Sequence, residues 1–306
     1  MNSGDSSRRA AERVWAALPP DARSVLEEGL SPTDLQTLLL DLARTRAARI
    51  EPARLRRRWA EDRFVRLAEV DPRRLAGLLA RAWTLLPADF AAVELSPVAP
   101  FGTSSAVGPV DQNRIVSTIR SSEVVSDPTN VLALEADRRR RSTRDDVHLA
   151  AHSRVLRAQR FPAGYSAHFA LLALVSSGRD RGSAVTELDF LRRHLTAWRT
   201  LLDNTLGQGR CWIDYSTFDD RVLSGRISDH LVADFPELRP APEPMPGSGY
   251  YAGLRFRIMA RTADGQLEIG DGGLTDWTAQ LAGDAKERCL TSCVSTERWL
   301  AALTGG

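Results

Sequence analysis

Two arginines and a phenylalanine lie close together in a mostly apolar stretch, with a spacing that could build a nucleotide pocket. The stretch predicts two strands, over 154–159 and 167–176, joined by a loop that contains proline and glycine. Arg157 lies three residues before Arg160 and twelve before Phe169. An arginine inside an apolar strand is costly unless an anion satisfies it, and a guanidinium binds phosphate bidentately. If the strands pair across the loop, a cation and an aromatic ring line one pocket, which suits a phosphate and a base.

The same stretch resembles the second signature motif of class II aminoacyl-tRNA synthetases, closest to the histidyl branch. The residues that fall on the family positions without a gap are Val155, Arg157, Arg160, Gly164 and Phe169. The resemblance implies that Arg157 holds the α-phosphate of ATP, that Arg160 contributes to ATP binding and that Phe169 stacks on adenine. Gln159 stands where the family usually has an acid, so that contact is altered.

Another arginine comes from the C-terminal part of the chain, where Glu297-Arg298 follows a predicted strand and opens a helix. The segment 293–303 resembles the third motif of the family, which implies that Arg298 clamps the γ-phosphate and shares the catalytic role with Arg157. A strand over 91–95, ended by proline, resembles the first motif. In the family that strand forms the dimer interface, so the resemblance implies a homodimer.

Other segments resemble signatures of the histidyl branch and supply candidate substrate-binding residues. A double tyrosine and a glycine pair match two of its motifs. Asp127 aligns near the family's glutamate that holds the ammonium group of the amino acid. It could replace that glutamate, or it could only cap the helix that begins at the following proline. The predicted substrate-binding residues are Asp127, Thr129, Leu171, Tyr250, Tyr251 and Gly273.

Metal binding is predicted at two acids near the third motif, Glu268 and Asp271, because the resemblance implies ATP together with Mg²⁺. His148 and His152 have a spacing similar to a zinc pair, but the HExxH glutamate is missing and no third ligand is evident. Both are therefore interpreted as strand or loop residues. The three cysteines form no metal-ligand set, and their odd number argues against a disulfide framework.

Four positions differ from the histidyl branch in ways that argue against histidine as the substrate. Pro246 stands where the family has a catalytic arginine, and Leu274 and Thr275 stand for an arginine and a tyrosine. Leu171 occupies the position where the family has a glutamine. Because a polar imidazole would meet unpaired surroundings, we expect a larger or more apolar carboxylate.

The predicted fold is α+β: a class II synthetase-like antiparallel sheet flanked by helices and preceded by a small all-helical domain. Residues 1–86 form the helical N-terminal domain, with helix starts at Ser31 and Asp71, each followed by proline. Residues 87–306 form the catalytic-type domain. The basic run 54–59 could bind RNA phosphates, but a solvated helix face is the simpler interpretation.

Composition places the chain among ordinary globular proteins. Its 306 residues are 43% hydrophobic and 26% charged, enough for one large core plus a small appendage. No apolar run approaches the roughly 20 residues of a membrane span, and the N-terminus carries no secretory signal. We therefore expect a cytoplasmic protein without a membrane partner.

These observations leave two main hypotheses. The first is an adenylate-forming ligase that activates a carboxylate, with an amino acid other than histidine favoured, and passes it to a small molecule or carrier protein. The chain ends after the third motif without an anticodon-binding domain, which disfavours ordinary tRNA charging. The second is a non-catalytic regulatory or binding protein that resembles the regulatory subunit of ATP phosphoribosyltransferase. A minor alternative is RNA binding through the N-terminal helices.

Overall fold

The structure is a computed structural model that describes residues 3–162, 165–218, 220–243, 245 and 249–304. Its internal contacts divide the chain into two compact units. The first unit extends to Glu61 and includes residues 118–121, and the second unit contains the remainder. Among the described residues, every helix is too short or too polar to span a lipid bilayer.

The first unit is built mainly from helices. They are α1 (Ser3–Ala16), α2 (Ala22–Ser24) with a π-helical turn (Val25–Gly29), α3 (Pro32–Ala47) and α4 (Pro52–Glu61). Ser31 caps α3 by accepting a hydrogen bond from the Asp34 backbone at 3.1 Å, and its hydroxyl donates to the Asp34 carboxylate at 2.7 Å. The basic run on α4 is exposed, which agrees with a solvated helix face.

The second unit combines helices with a large sheet. Its helices are α5 (Pro72–Leu85), α6 (Thr103–Ala106), α7 (Pro128–Arg140), α8 (Val185–Leu206), α9 (Arg221–His230), α10 (Trp277–Ala282) and α11 (Thr296–Thr304). Its strands are β1 (Ala91–Ala92), β2 (Val98–Pro100), β3 (Ser122–Val124), β4 (Val147–Leu156), β5 (His168–Arg179), β6 (Cys211–Thr217), β7 (Leu238–Pro240), β8 (Tyr251–Thr262), β9 (Gly265–Thr275) and β10 (Glu287–Ser295).

Eight of these strands form one sheet in the order β1-β4-β5-β10-β9-β8-β6-β7, and β2 pairs separately with β3. The six central strands pair antiparallel, and only the two short edge strands pair parallel. The predicted hairpin of the nucleotide motif is the β4–β5 pair, in which Val155 lies opposite Phe169. The sheet and its flanking helices confirm the predicted fold class.

Helices cover both faces of the sheet because β5 is apolar on both sides. Leu172 and Leu174 pack with α8 residues such as Trp198 in the largest core cluster. Ala173 and Val175 belong to a different cluster, which contains residues of α7. Alternate residues of one strand thus anchor two helical layers, as expected for a strand that is buried on both faces.

The boundary of the compact units falls earlier in the chain than the predicted boundary after residue 86. Helix α5 belongs to the sheet-containing unit, since Leu78 and Ala82 are buried in the same core cluster as residues of α8 and α11. Sequence reasoning grouped α5 with the preceding helices because all are amphipathic. Amphipathicity does not tell which partner covers the apolar face.

Candidate active site

One cavity of about 470 Å³, here called the central cavity, brings together most of the predicted site residues. It lies where the β4–β5 hairpin, β9, β10 and the start of α11 meet. The predicted residues that line it are Asp127, Arg157, Phe169, Leu171, Tyr250, Glu268, Asp271 and Arg298. Residues far apart in the chain therefore converge on one volume, which is within the size range of small-ligand sites.

Arg157 follows the end of β4 and is held in place by backbone and side-chain contacts. Its backbone N–H donates to the Ala167 carbonyl at 2.8 Å, which extends the hairpin by one residue pair. Its Nε–H donates to the Ser126 carbonyl at 2.8 Å, and Nη2 donates to Asp127 Oδ2 at 3.3 Å. The guanidinium also lies 5.1 Å from the ring centre of Phe169. Cation and ring therefore line one pocket, as the sequence predicts.

Arg298 enters the central cavity from the first turn of α11. Its Nη1 donates to the Glu268 carbonyl at 2.8 Å, and its guanidinium lies 5.5 Å from the ring centre of Tyr165. Within the described residues it forms no ion pair with a carboxylate. The group is thus oriented by a neutral acceptor, and its charge is available to an anionic ligand.

Glu268 and Asp271 both line the central cavity because of a β-bulge. Side chains three residues apart on a regular strand point to opposite faces. Here the register shifts, since Ile258 pairs with Gly270 while Met259 pairs with Glu268, so Ile269 is an extra residue on β9. The bulge turns Glu268 to the same face as Asp271, so the two acids that the sequence analysis nominated together line one cavity.

The two acids place two carboxylates on the wall of one cavity, and carboxylate oxygens are ligands that divalent cations prefer. Burial, together with repulsion from Asp127, raises the pKa of Asp271 to about 6, and Arg255 opposes this shift. Repulsion from Glu268 raises the pKa of Asp271 further. The described residues contain no group of three or more side chains that could hold a metal ion alone. Mg²⁺ is commonly bound by one or two carboxylates together with substrate phosphates, so a pair is sufficient for such a site.

Three predicted substrate residues do not line the central cavity but support those that do. Thr129 is buried and donates from Oγ1 to Asp127 Oδ1 at 2.7 Å. Tyr251 lies 4.5 Å from Tyr250, measured between ring centres. A Cβ atom on Gly273 would lie 2.6 Å from the Tyr251 ring, so glycine leaves room for that ring. Burial raises the pKa of Tyr250, which therefore remains a neutral phenol.

Arg160 does not line the central cavity. It lines a neighbouring cavity of about 820 Å³, here called the arginine cavity, together with Arg63, Arg66 and Arg74. The two cavities share the residues Phe161, Tyr165, Ser166, Glu297 and Ala301. Arg63 is anchored by donating to the Gln159 carbonyl at 2.7 Å and to the Ala158 carbonyl. Sequence reasoning missed these three arginines because they join the site only through tertiary structure.

A smaller volume of about 160 Å³, here called the side pocket, borders the central cavity at Asp127, Arg157 and Tyr250. Its other lining residues include Asn130 and Trp277, which were not predicted. Leu274 and Thr275, which were expected at the substrate pocket wall, line a different cavity beside Glu187. Pro246 and Gly164 lie outside the described residues. His148 and His152 lie on β4, consistent with their interpretation as strand residues.

The fold defines a class: the chain has the class II synthetase-like fold. One similar structure is an ATP phosphoribosyltransferase regulatory subunit/histidyl-tRNA synthetase from Bacillus halodurans C, with TM-score 0.59, 10% identity and coverage of 78% of this chain and 82% of that chain. A histidine–tRNA ligase subunit from Alicyclobacillus acidocaldarius has TM-score 0.59 and 13% identity, with coverage of 78% and 96%. Apo histidyl-tRNA synthetase from S. aureus has TM-score 0.54 and 13% identity, with coverage of 78% and 68%.

No family model and no curated protein matches the sequence. At such low identities the structural similarity establishes the fold alone. The function must be argued from the site.

Proposed function

We propose that the protein activates a carboxylate as its adenylate at the expense of ATP. The observation that carries this proposal is the convergence of Arg157, Phe169 and Arg298 on one cavity from two distant segments. A phosphate near Arg157 and an adenine against Phe169 fit this geometry. Two guanidiniums in one partly buried cavity stabilise the charge that develops when an α-phosphate is attacked.

The reaction requires no proton transfer in its first step. A carboxylate oxygen attacks the α-phosphorus, the bond to the bridging oxygen breaks, and pyrophosphate leaves with the electron pair. Arg157 would stabilise the α-phosphoryl oxygens and Arg298 the leaving phosphates. Mg²⁺, held by Glu268 and Asp271, would neutralise phosphate charge when bound.

The acid is proposed to be an amino acid other than histidine. Leu171 lines the central cavity where the histidyl branch has a glutamine, and it offers no hydrogen bond to an imidazole. The acceptor would approach through the arginine cavity, which adjoins the central cavity. Four arginines line it against three acids, Glu69, Asp71 and Glu297, and this excess of positive charge favours an acceptor with an anionic group, such as a small phosphorylated molecule or a modified carrier protein.

The protein is further proposed to be a cytoplasmic homodimer. All three cysteines are free, as is usual in a reducing compartment. Strand β1 is an exposed edge of the sheet, and Phe101, which follows β2 in the chain, is 57% exposed. Light scattering should report twice the chain mass of 33.7 kDa. A monomer at micromolar concentration would contradict the dimer.

The second candidate is a regulatory or binding protein without catalysis. It is favoured by one observation: Arg157 is already engaged by Asp127 and by the Ser126 carbonyl. In this case ligands would bind in the central cavity, but no carboxylate would support pyrophosphate exchange.

Calorimetry with ATP and Mg²⁺ tests the proposal directly. Arg157→Ala should weaken ATP binding by about 2 kcal/mol, because a charge-assisted pair to phosphate is lost. Arg179→Ala is the matched control, since Arg179 lies on β5, pairs with Asp284 at the surface and does not line the central cavity. Absence of ATP binding by the unmodified protein would rule out the adenylation proposal.

A further inference from the structure

A further cavity of about 500 Å³, here called the α8 cavity, is formed by the last turns of α8, the start of β6 and the edge strand β7. In the described part of the chain it shares no lining residue with the central cavity, the arginine cavity or the side pocket. Its volume lies in the range of small-ligand sites. A ligand in the α8 cavity would therefore be separate from the reactants of the proposed adenylation.

Two of the charged side chains that line the α8 cavity have no opposite charge beside them. Arg199 pairs with Glu237 at 2.5 Å, and Arg239 pairs at 2.8 Å with an aspartate of the neighbouring strand β6. By contrast, the carboxylate of Asp203 and the guanidinium of Arg261 form no ion pair with any residue that the structure describes. One negative and one positive group in the same cavity are thus left for a ligand.

The environment of Asp203 disfavours its negative charge. Asp203 lies in the last turn of α8, where the negative end of the helix dipole repels a carboxylate. Burial raises the pKa of Asp203, repulsion from Glu237 raises it further, and Arg199 opposes this shift. A cationic group of a ligand would offset all of these unfavourable effects.

The walls of the α8 cavity favour an organic cation over a metal ion. Cys211, Trp212 and Pro236 line it beside Asp203. Burial raises the pKa of the Cys211 thiol to about 12, with a contribution from Asp203, so this wall is uncharged. No cluster of three potential metal ligands occurs among the residues that the structure describes. One carboxylate beside apolar walls fits the ammonium group of a molecule with an apolar body.

Arg261 provides a partner for an anionic group of the same ligand. It is exposed, and its guanidinium lies 5.7 Å from the ring centre of Trp212. Arg239 contacts the same ring, at 4.7 Å. Contact with an aromatic ring orients a guanidinium but does not neutralise its charge. The charge of Arg261 therefore remains for a carboxylate, which a guanidinium binds in bidentate geometry.

We propose that the α8 cavity is a second ligand site, which binds an amino acid with an apolar side chain. The ammonium group of the amino acid pairs with Asp203, its carboxylate pairs with Arg261, and its side chain packs against Cys211 and Pro236. This inference does not depend on the proposed adenylation. It applies equally to a catalytic protein and to a regulatory one.

Calorimetry with leucine and phenylalanine tests the inference, together with analogues that each lack one charge. The analogues without a carboxylate are 3-methylbutylamine and phenethylamine, and those without an ammonium group are 4-methylpentanoate and 3-phenylpropionate. At least one of the two amino acids should bind. Each of its two analogues should bind at least about threefold more weakly, because it loses one charge contact.

Variants of the protein locate the binding event. Asp203→Asn and Arg261→Gln should each weaken amino-acid binding by about threefold to tenfold. Asp189→Asn is the matched control, since Asp189 lies on the same helix, pairs with Arg181 at 3.2 Å and does not line the α8 cavity. Asp127→Asn changes the central cavity and should leave this binding event unchanged.

Several outcomes would overturn the inference. One is the absence of binding by both amino acids, and another is an analogue that binds as tightly as its parent amino acid. Binding that weakens in Asp127→Asn but not in Asp203→Asn would belong to the central cavity and would also overturn it. Equal weakening in Asp189→Asn and Asp203→Asn would overturn it as well, because it would indicate a general effect on α8.

Discussion

Asp127 contacts Arg157 through one carboxylate oxygen and caps helix α7 through the other. Its Oδ2 accepts from Arg157 Nη2 at 3.3 Å, while its Oδ1 accepts from the Thr129 backbone N–H at 3.0 Å. The two roles considered for this residue, a helix cap and a group in the site, are therefore compatible. A phosphate that approaches Arg157 must share its guanidinium with Asp127. In the same way, the ammonium group of an amino acid would compete with Arg157 for the carboxylate of Asp127.

Asp127→Asn should separate these roles. Asparagine keeps an oxygen that can cap α7, but it no longer attracts Arg157. Because Arg157 and Asp127 are both partly exposed, their ion pair contributes at most about 1 kcal/mol. ATP affinity should therefore rise by up to about fivefold, while affinity for an amino acid should fall because the partner of its ammonium is lost. Calorimetry with each ligand measures both effects.

Asp220→Asn provides the control, because Asp220 caps α9 by accepting from the Leu223 backbone at 2.9 Å and does not line the central cavity. It should change neither affinity. Asp127→Ala should also lower the free energy of unfolding by about 1 kcal/mol through loss of the cap. A weaker affinity for ATP in Asp127→Asn would show that Asp127 does not compete for Arg157.

Gly273 should be required for the packing below the central cavity. A Cβ atom there would lie 2.4 Å from the Leu254 carbonyl oxygen and 2.6 Å from the Tyr251 ring. Gly273→Ala should therefore lower the free energy of unfolding by about 1–3 kcal/mol through overpacking, as measured by urea denaturation. Gly77→Ala in α5 is the control. Nothing lies within 4 Å of its added Cβ, so helix propensity should raise stability by up to about 1 kcal/mol.

The sequence predicts those parts of the site that depend on local spacing. Arg157 and Phe169 meet because they are joined by one hairpin, and the cap at Asp127 follows from the proline after it. The order of the motifs along the chain also predicts that Arg298 approaches the same cavity. Local pattern and resemblance are sufficient where the chain itself fixes the geometry.

Local spacing alone does not predict features that depend on tertiary structure, even where a resemblance nominates the residues. Glu268 and Asp271 share a face only because Ile269 is bulged, and a regular strand would separate them. Arg160 lies only three residues from Arg157 yet lines a different cavity. Trp277 and Asn130 are far apart in the sequence, and neither belongs to a motif. Both line the side pocket because of how α7 and α10 pack.

A buried histidine network should make stability depend on pH. Both ring nitrogens of His194 contact serine hydroxyls, Ser292 Oγ at 2.7 Å and Ser176 Oγ at 3.0 Å, and His148 contacts the same Ser176 hydroxyl at 2.8 Å. Burial lowers the pKa of His194 well below its usual value, with further lowering by His148. Burial also lowers the pKa of His148, with help from Arg193.

Because the folded pKa of each histidine lies below the unfolded value, the unfolded chain binds more protons at mildly acidic pH. The stabilisation is fully present above about pH 6.5 and is lost as the pH falls towards the folded pKa. Denaturation between pH 7 and 5 should show a progressive loss of stability, to whose slope each histidine can contribute at most about 1.4 kcal/mol per pH unit. His194→Gln should flatten this dependence, and His230→Gln, at an exposed position on α9, should not. An identical slope in His194→Gln would contradict the assignment.

The arginine cavity should bind anions independently of the nucleotide contacts in the central cavity. Arg74 and Arg160 are exposed, and no carboxylate of the described residues forms an ion pair with either. Inorganic pyrophosphate, added to protein saturated with AMP, serves as the probe in calorimetry. Arg74→Gln and Arg160→Gln should each weaken pyrophosphate binding by about threefold to tenfold, because one exposed charge contact contributes about 1 kcal/mol.

Arg73→Gln is the matched control, because Arg73 is the neighbour of Arg74 on α5 but pairs with Asp71 and does not line the cavity. Its pyrophosphate affinity should equal that of the unmodified protein. ATP affinity in Arg160→Gln should change far less than in Arg157→Ala, since only Arg157 lines the central cavity. Equal losses of pyrophosphate affinity in Arg73→Gln and Arg74→Gln would indicate attraction by the overall charge. A loss of ATP affinity in Arg160→Gln as large as in Arg157→Ala would instead assign Arg160 to the nucleotide, and the acceptor would need another path to the adenylate.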